Sequence, residues 1–380
     1  MISLSAKKRF AFAAIYSAIL LAVPLVALEV FVRIFSPYGH SSPEIDAAKA
    51  FSYEPAVFAR HVFRQAAKTV RDGELRYPIS TNGYRGRGFS PDKPDGVVRV
   101  VVFGGSAVFD LSADDYNSWP ELMERWLRER LEKPVEVINA GIPGHSSADS
   151  LGRFLFEGHL FRPDAVVLYN AWNDVKLFHS GQPLLRSMKP FRPDPRLAYH
   201  GWWDKMLCRS SQLYVRLRNR FLNSRYRIGT EGALPNLEFA GQPHPAALDQ
   251  YRLNLEMFVA CARSIHALPV LVTQARLAAP ANSPEQRAKI PYGYTAFDHA
   301  GLCNAFERTD EIVKQTGLSL GVPVVDASAA MTGRDEYLYD HVHTSSKGSA
   351  LLASLVGQAV LDALRERDSA PAPASSSPVP

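Results

Sequence analysis

From Val97 onward, short runs of consecutive apolar residues alternate with longer stretches in which apolar residues recur at helical spacing. The first run, Val97-Val98-Arg99-Val100-Val101-Val102-Phe103, has no charge after Arg99 and is rich in β-branched residues, as a strand buried on both faces would be. Residues 135–138, 165–169, 270–273 and 322–325 read the same way. Between the first two runs, Leu122, Trp126, Leu127 and Leu131 recur at helical spacing behind Ser118-Trp119-Pro120-Glu121. There Ser118 caps, Pro120 fits the first turn and Glu121 reaches back. Further helices are predicted over 147–160, 246–268, 298–316 and 344–365. This order implies right-handed crossovers and an α/β fold, a parallel sheet with helices on both faces. All strands then end at one edge, where Ser106, Gly144 and Asn173 gather although far apart in sequence.

The N-terminal pattern is different. Residues 10–28 carry no charge, with Lys7-Lys8-Arg9 before them and Glu29 and Arg33 after. A run of about 19 such residues suffices to cross a bilayer. A cleaved secretory signal needs small residues two positions apart, and the best site, after Ala27, has the large Leu25 in the way. The reading is a retained single-pass anchor (1–36) in the inner (cytoplasmic) membrane. Three basic residues precede the span and only Arg33 closely follows, which puts the N-terminus in the cytoplasm and the remainder on the periplasmic or extracellular side.

Residues 37–96, interrupted by Pro37, Pro43, Pro55 and Pro78, read as a stem whose turn at 81–86 packs on the core edge. A domain over 97–367 follows, and a Ser/Pro/Ala-rich tail over 368–380 is expected to be disordered. An insertion over 176–245 breaks the alternation. It holds Trp202, Trp203 and the basic run Arg209, Arg216, Arg218, Arg220, Arg225 and Arg227, while Leu213, Leu217 and Phe221, four apart, predict an amphipathic helix. Such a helix suits a solvated face, a lid, or a surface touching anionic lipid or polysaccharide.

With 46% hydrophobic and 21% charged residues the chain can bury a sizeable core. The net charge of +5 is not gathered into an aromatic-interleaved patch outside the insertion, so no nucleic-acid partner is expected. Cys208, Cys261 and Cys303 show neither CxxC pairing nor metal-ligand spacing. The odd count leaves at least one thiol outside any intramolecular bridge, and burial is the expectation for each.

Two stretches carry candidate chemistry. Gly104-Gly105-Ser106 ends the first strand, and glycines can take backbone angles closed to other residues, so the turn can lift Ser106 out of the sheet end. Near the C-terminus, Tyr339-Asp340-His341-Val342-His343-Thr344 sets Asp340 three residues before His343. In a helix-like turn the carboxylate can hold the imidazole in one tautomer and stabilise its cation. Taken singly, each is also an ordinary turn. A hydroxyl at its free pKa is a poor nucleophile and requires such a base. The oxyanion formed on attack requires donors, which the backbone N–H groups of Ser106 and Gly144 and the Asn173 side-chain amide can supply. His341 and His343 lack a third ligand at metal-binding spacing, so no metal or cofactor is expected. His145 reads as an exposed loop histidine, and Asp174 as the holder of the turn that presents Asn173.

Together these blocks resemble those of the SGNH (GDSL-like) serine hydrolases. Gly104-Gly105-Ser106 is similar to the nucleophile block, with Gly105 where many members have Asp, and residues 139–144 are similar to the second block. Ala171-Trp172-Asn173-Asp174 is similar to the third, with Ala171 in place of the usual glycine, and Asp340-His341-Val342-His343 to the last. The likeness spans residues 97–174 and 326 to the end of the closing helix. It implies a flavodoxin-like fold with Ser106 as nucleophile, His343 as base and Asp340 as its orienter. Ser106, Gly144 and Asn173 would be the oxyanion donors, with Gly141 a second candidate for the place of Gly144. The implied protein is a membrane-anchored serine esterase that removes acyl groups, O-acetyl included, from cell-envelope carbohydrate through an acyl-enzyme. An O-acyltransferase with a sugar hydroxyl as acceptor, and a non-catalytic module that binds glycan through the basic insertion, remain alternatives.

Overall fold

The computed structural model describes residues 6–35, 53–54, 59, 62–63, 68–72, 75–180, 195–197, 199–226 and 239–369. Much of the expected stem, Arg227 of the insertion and the tail beyond Ser369 lie outside the described residues. In chain order come helix α1 (Ala6–Phe35), the paired strands β1 (Tyr53–Glu54) and β2 (Val62–Phe63), and the hairpin of β3 (Lys68–Asp72) and β4 (Leu75–Ile79). Then follow β5 (Val98–Gly104), α2 (Ser106–Phe109), α3 (Trp119–Arg128), β6 (Val135–Gly141), α4 (Ser147–Phe156), β7 (Ala165–Tyr169) and α5 (Trp172–Val175). The remaining elements are α6 (Trp202–Ser210), α7 (Gln212–Tyr226), α8 (Pro245–Ser264), β8 (Leu268–Val272), α9 (Pro284–Ala288), α10 (Tyr292–Thr295), α11 (His299–Leu320), β9 (Val324–Val325), α12 (Ala327–Met331) and α13 (Ser346–Ser369). They fall into two compact units, one of residues 1–51 with 192–235 and one of residues 52–191 with 236–380.

The larger unit is built on a five-stranded parallel sheet in the order β6-β5-β7-β8-β9, which is the flavodoxin-like order. The strand β5 is interior, paired with β6 and β7, and its Val100, Val101, Val102 and Phe103 are wholly shielded from solvent. Burying a side chain of this size stabilises the fold by roughly 1.5–3 kcal/mol. Alternate residues of the sheet serve its two faces. Val101, Phe103, Ile138 and Leu168 pack with Phe154 of α4, Phe258 of α8 and Phe306 of α11. Val100, Val102, Val137 and Val167 pack with Trp119 and Leu127 of α3 and Leu352 and Val356 of α13. Helices therefore cover both faces, as the alternation predicts. At the start of α3 the Glu121 carboxylate accepts from the Ser118 backbone N–H at 3.2 Å. The charge of buried Arg99 is met by Glu136 at 2.7 Å and by the carbonyls of Ser90, Pro91 and Phe161.

Gly104 stands opposite both Gly141 and Tyr169, so β5, β6 and β7 end level and their following loops share one rim. In the stretch expected as a stem, Tyr77, Ile79, Tyr84 and Arg85 are buried within this unit, and Tyr84 donates its hydroxyl to Glu157 at 2.6 Å. The closing helix continues through Asp368 and Ser369, two residues expected in the tail. Cys208 and Cys303 are buried and Cys261 is half-buried. Burial pushes the Cys303 thiol up to about 11.

In the smaller unit, α1 is 30 residues long, about 45 Å at 1.5 Å per residue. Among the described residues it is the one helix long and apolar enough to cross a membrane, a property signal sequences share. Glu29 of α1 accepts hydrogen bonds from Ser211 Oγ at 2.7 Å and from the backbone N–H groups of Gln212 and Leu213 at 2.9 Å each. It thereby caps the start of α7.

Candidate active site

The strand β5 runs directly into the turn that presents Ser106, the first residue of α2. The glycines before it are needed for room rather than for backbone angle, contrary to expectation: neither has a positive φ. A Cβ on Gly104 would lie 2.3 Å from a Val108 methyl and 2.5 Å from the Tyr169 carbonyl oxygen. One on Gly105 would lie 2.7 Å from Asn173 Nδ2 and 2.9 Å from the His145 carbonyl oxygen. The absence of these side chains lets the β6 and β7 loops close on the turn.

Gly144 adopts φ +86°, a conformation that glycine takes without strain. The other candidate for its place, Gly141, has its N–H engaged by Asn139 Oδ1 at 3.0 Å. His145 is buried rather than exposed, and its carbonyl oxygen accepts from Asn170 Nδ2 at 3.0 Å and Asn173 Nδ2 at 2.9 Å. A carbonyl can only accept, so this contact fixes the Asn173 amide with its nitrogen toward the Gly105 turn. Its oxygen accepts from Tyr294 Oη at 2.9 Å. Asp174 accepts from Ser147 N at 3.0 Å and Ser147 Oγ at 2.6 Å, tying the turn that presents Asn173 to the start of α4.

Asp340 and His343 meet as expected, but across a bend rather than a helical turn. Asp340 Oδ1 accepts from the backbone N–H groups of Val342 and His343, each at 2.8 Å, and Oδ2 lies 2.6 Å from His343 Nδ1. Burial opposes ionisation of Asp340, but the bond to His343, the charge of that ring and the two backbone donors outweigh it and hold the carboxyl well below the usual carboxylate range. His343 Nε2, opposite Asp340, is buried and has no hydrogen-bond partner among the described residues, Ser106 Oγ included. His341 packs its ring on Trp172, centroids 4.4 Å apart, which sets the His343 loop against the Asn173 loop. Burial lowers the pKa of His341. Among the described residues no group of three or more His, Cys, Asp or Glu is placed to hold a metal ion.

Three supports have no counterpart in the sequence reading. Tyr294 of α10 orients Asn173 and stacks on Trp172 at 10°. Gln274 Oε1 accepts from Trp172 N at 2.6 Å. Asp110, wholly buried, accepts from Trp119 N, Ser349 Oγ and Ser112 Oγ at 2.9, 2.9 and 3.0 Å. Ser349 in turn bonds Thr344, the neighbour of His343, at 2.7 Å, so the Ser106 turn and the histidine loop are joined through Asp110. Nothing in the residue pattern marks these three, because each acts across more than a hundred positions of chain or through a lone polar residue between apolar ones.

A doubly covered parallel sheet of flavodoxin-like order, with a serine at the end of an interior strand and a carboxylate-bound histidine on another loop, is the class of framework on which serine hydrolases are built. The sequence agrees: residues 102–351 match the GDSL-like lipase/acylhydrolase family. The chain belongs to that family and is an SGNH-type hydrolase of ester bonds. It is similar to the solved structure of a lipase/acylhydrolase from Enterococcus faecalis, at 18% identity over 69% of this chain and 94% of that one, TM-score 0.42. It is also similar to a GDSL-like lipase from Bacteroides thetaiotaomicron, at 14% identity over 70% and 88%, TM-score 0.39. A catalytic mutant of an acetylxylan esterase from Geobacillus stearothermophilus matches at 15% identity over 69% and 94%, TM-score 0.40. No curated protein matches the chain in sequence.

Proposed function

We propose that this protein is a membrane-anchored serine esterase that removes acyl groups, O-acetyl among them, from cell-envelope carbohydrate through an acyl-enzyme. The observation that carries the chemistry is the 2.6 Å contact of Asp340 with His343 Nδ1, opposite a buried Nε2 without a partner. In this reading Nε2 takes the proton of Ser106 Oγ as that oxygen attacks the ester carbonyl, and Asp340 stabilises the imidazolium. The N–H groups of Ser106 and Gly144 and the Asn173 amide receive the oxyanion. The leaving alcohol takes the proton from His343, and water then repeats the sequence to free the acid. Exposed Tyr339, beside Asp340, offers an aromatic face suited to a sugar ring. The length and composition of α1, with Lys7 and Lys8 near its start, support an anchor in the inner membrane with the hydrolase on the periplasmic side.

A fluorophosphonate probe tests the chemistry on the purified full chain. Labelling that is lost in Ser106→Ala supports the assignment of the nucleophile, and undiminished labelling of that variant rejects it.

A further inference from the structure

The two insertion helices packed beside α1 expose large apolar side chains. On α6, Trp202 and Trp203 are 61% and 72% exposed and Met206 and Leu207 are also exposed, whereas Asp204 and Cys208 face inward. On α7, Leu217 and Phe221 are exposed while Arg218 and Asn219 are buried. The interior is mixed: Val215 and Leu222 of α7 are buried, Val215 packing with Cys208, and beside them Arg218 Nε binds Asp204 at 2.7 Å, with Asp204 also accepting from Tyr214 Oη at 2.9 Å and His200 N at 2.7 Å. A helix pair folded for water alone would turn polar residues outward at these six apolar positions. Large exposed apolar surface rimmed by polar residues marks a site covered by something other than water.

The position of the pair in its unit says what covers it. The α6–α7 corner is fastened to α1 where the charge-free run 10–28 ends: Glu29 caps α7, and Arg33 donates to the Ser210 carbonyl at 2.7 Å. If α1 spans the bilayer, that corner lies at headgroup level, where tryptophan is favoured. Arg209, Arg220 and Arg225 are exposed on the same two helices and suit anionic headgroups.

We infer that α6 and α7 form an interfacial foot, with Trp202, Trp203, Met206, Leu207, Leu217 and Phe221 seated in the lipid surface around the exit of the anchor. This inference rests on the anchoring reading of α1, and the test separates the two.

The full chain is reconstituted into vesicles of phosphatidylcholine and phosphatidylglycerol, with and without bromine on the acyl chains, and tryptophan emission is compared. α1 contains no tryptophan, and Trp202 and Trp203 are two of five in the chain, so quenching of up to about two fifths of the emission is expected from the foot. In Trp202→Phe/Trp203→Phe that bromine-dependent quenching disappears while the chain stays in the vesicles. Quenching that persists in the double variant, or is absent in the wild type, overturns the foot, and so does a cross-linked pair of chains that buries these tryptophans without lipid contact. Release of the chain from vesicles by alkaline carbonate instead refutes the anchor itself, and the foot falls with it.

Discussion

Replacing Gly105 by alanine would put a methyl carbon 2.7 Å from Asn173 Nδ2 and 2.9 Å from the His145 carbonyl oxygen. Ordinary contact begins at 3.4 Å, so the shortfalls are about 0.7 and 0.5 Å. The His145 carbonyl is backbone and holds two amides, so the Asn173 amide is the group that yields. Moving it breaks its bonds to His145 and Tyr294 and carries its second N–H off the oxyanion position. One oxyanion donor is worth about 3 kcal/mol, hence a fall in kcat of roughly a hundredfold with KM little changed. Overpacking adds a stability cost on the order of 1–3 kcal/mol. The assay is steady-state hydrolysis of p-nitrophenyl acetate, with a thermal melt to show that the variant is folded. Asn173→Ala should lose a similar factor, and Gly105→Ala should cost far less when added to Asn173→Ala than when made alone. Gly105→Asp installs the residue many members of the family carry, and here it should be at least as damaging as alanine. A folded Gly105→Ala enzyme with kcat within twofold of wild type would refute the reasoning.

Tyr294→Phe removes one of two anchors of the Asn173 amide. A loss of about 1 kcal/mol predicts a fall in kcat of roughly fivefold, and double-mutant kinetics should show no further loss in the Asn173→Ala background. Asp340→Asn should lower kcat by on the order of 10³–10⁴. It should also destabilise the fold at neutral pH. Because the folded carboxyl is held below its unfolded value, the wild-type advantage is complete above about pH 4 and is lost as acid titrates the folded group. Urea melts at neutral and strongly acidic pH measure this, and a difference that does not shrink in acid contradicts it. Asp110→Ala takes the carboxylate acceptor from the buried donors Trp119 N and Ser349 Oγ and the opposing charge from buried Arg85, so urea melts should show a loss of about 3–5 kcal/mol; a loss under 1 kcal/mol would be evidence against the clamp.

The sheet was legible because burial on both faces leaves a plain mark: 98–103 is almost wholly aliphatic or aromatic, and a run of that kind has few other uses. The site blocks were legible because each follows a strand end or precedes a helix, positions the α/β topology makes coincide. What escaped were relations that depend on packing. A glycine pair reads equally well as freedom of φ or as want of space, and only the neighbours Val108, Asn173 and His145 decide for space. Tyr294 reaches Asn173 from a four-residue helix 121 positions away, with no periodicity to mark it. In the insertion, Leu213, Leu217 and Phe221 predicted an amphipathic helix, and α7 is a helix. Spacing gives the stripe but not which way it faces, and Leu217 and Phe221 face out.

The geometry of the Ser106 turn is imposed from outside the family blocks. Asp110 has φ 62° and ψ 71°, a left-handed conformation that costs a residue with a side chain on the order of 1 kcal/mol or more and persists only where its surroundings determine it. Its backbone N–H closes α2 on Ser106 O at 2.8 Å, and its carboxylate is held by Trp119 N, Ser112 and Ser349. Beneath it, Arg85 donates to the carbonyls of Phe109 and Asp110 at 2.6 and 2.7 Å and to Ala113 at 2.7 Å, and its guanidinium lies over the rings of Tyr77 and Phe109. Burial lowers the pKa of Arg85 and raises that of Asp110, while the attraction of each for the other opposes both shifts. The arginine is therefore what makes the buried aspartate tolerable, and the aspartate is what holds Ser106's helix against the loop of His343. Arg85 and Tyr77 lie in the stretch that reads as a connecting stem, so the segment before Val97 is as much a part of the candidate site's geometry as the blocks that name the family.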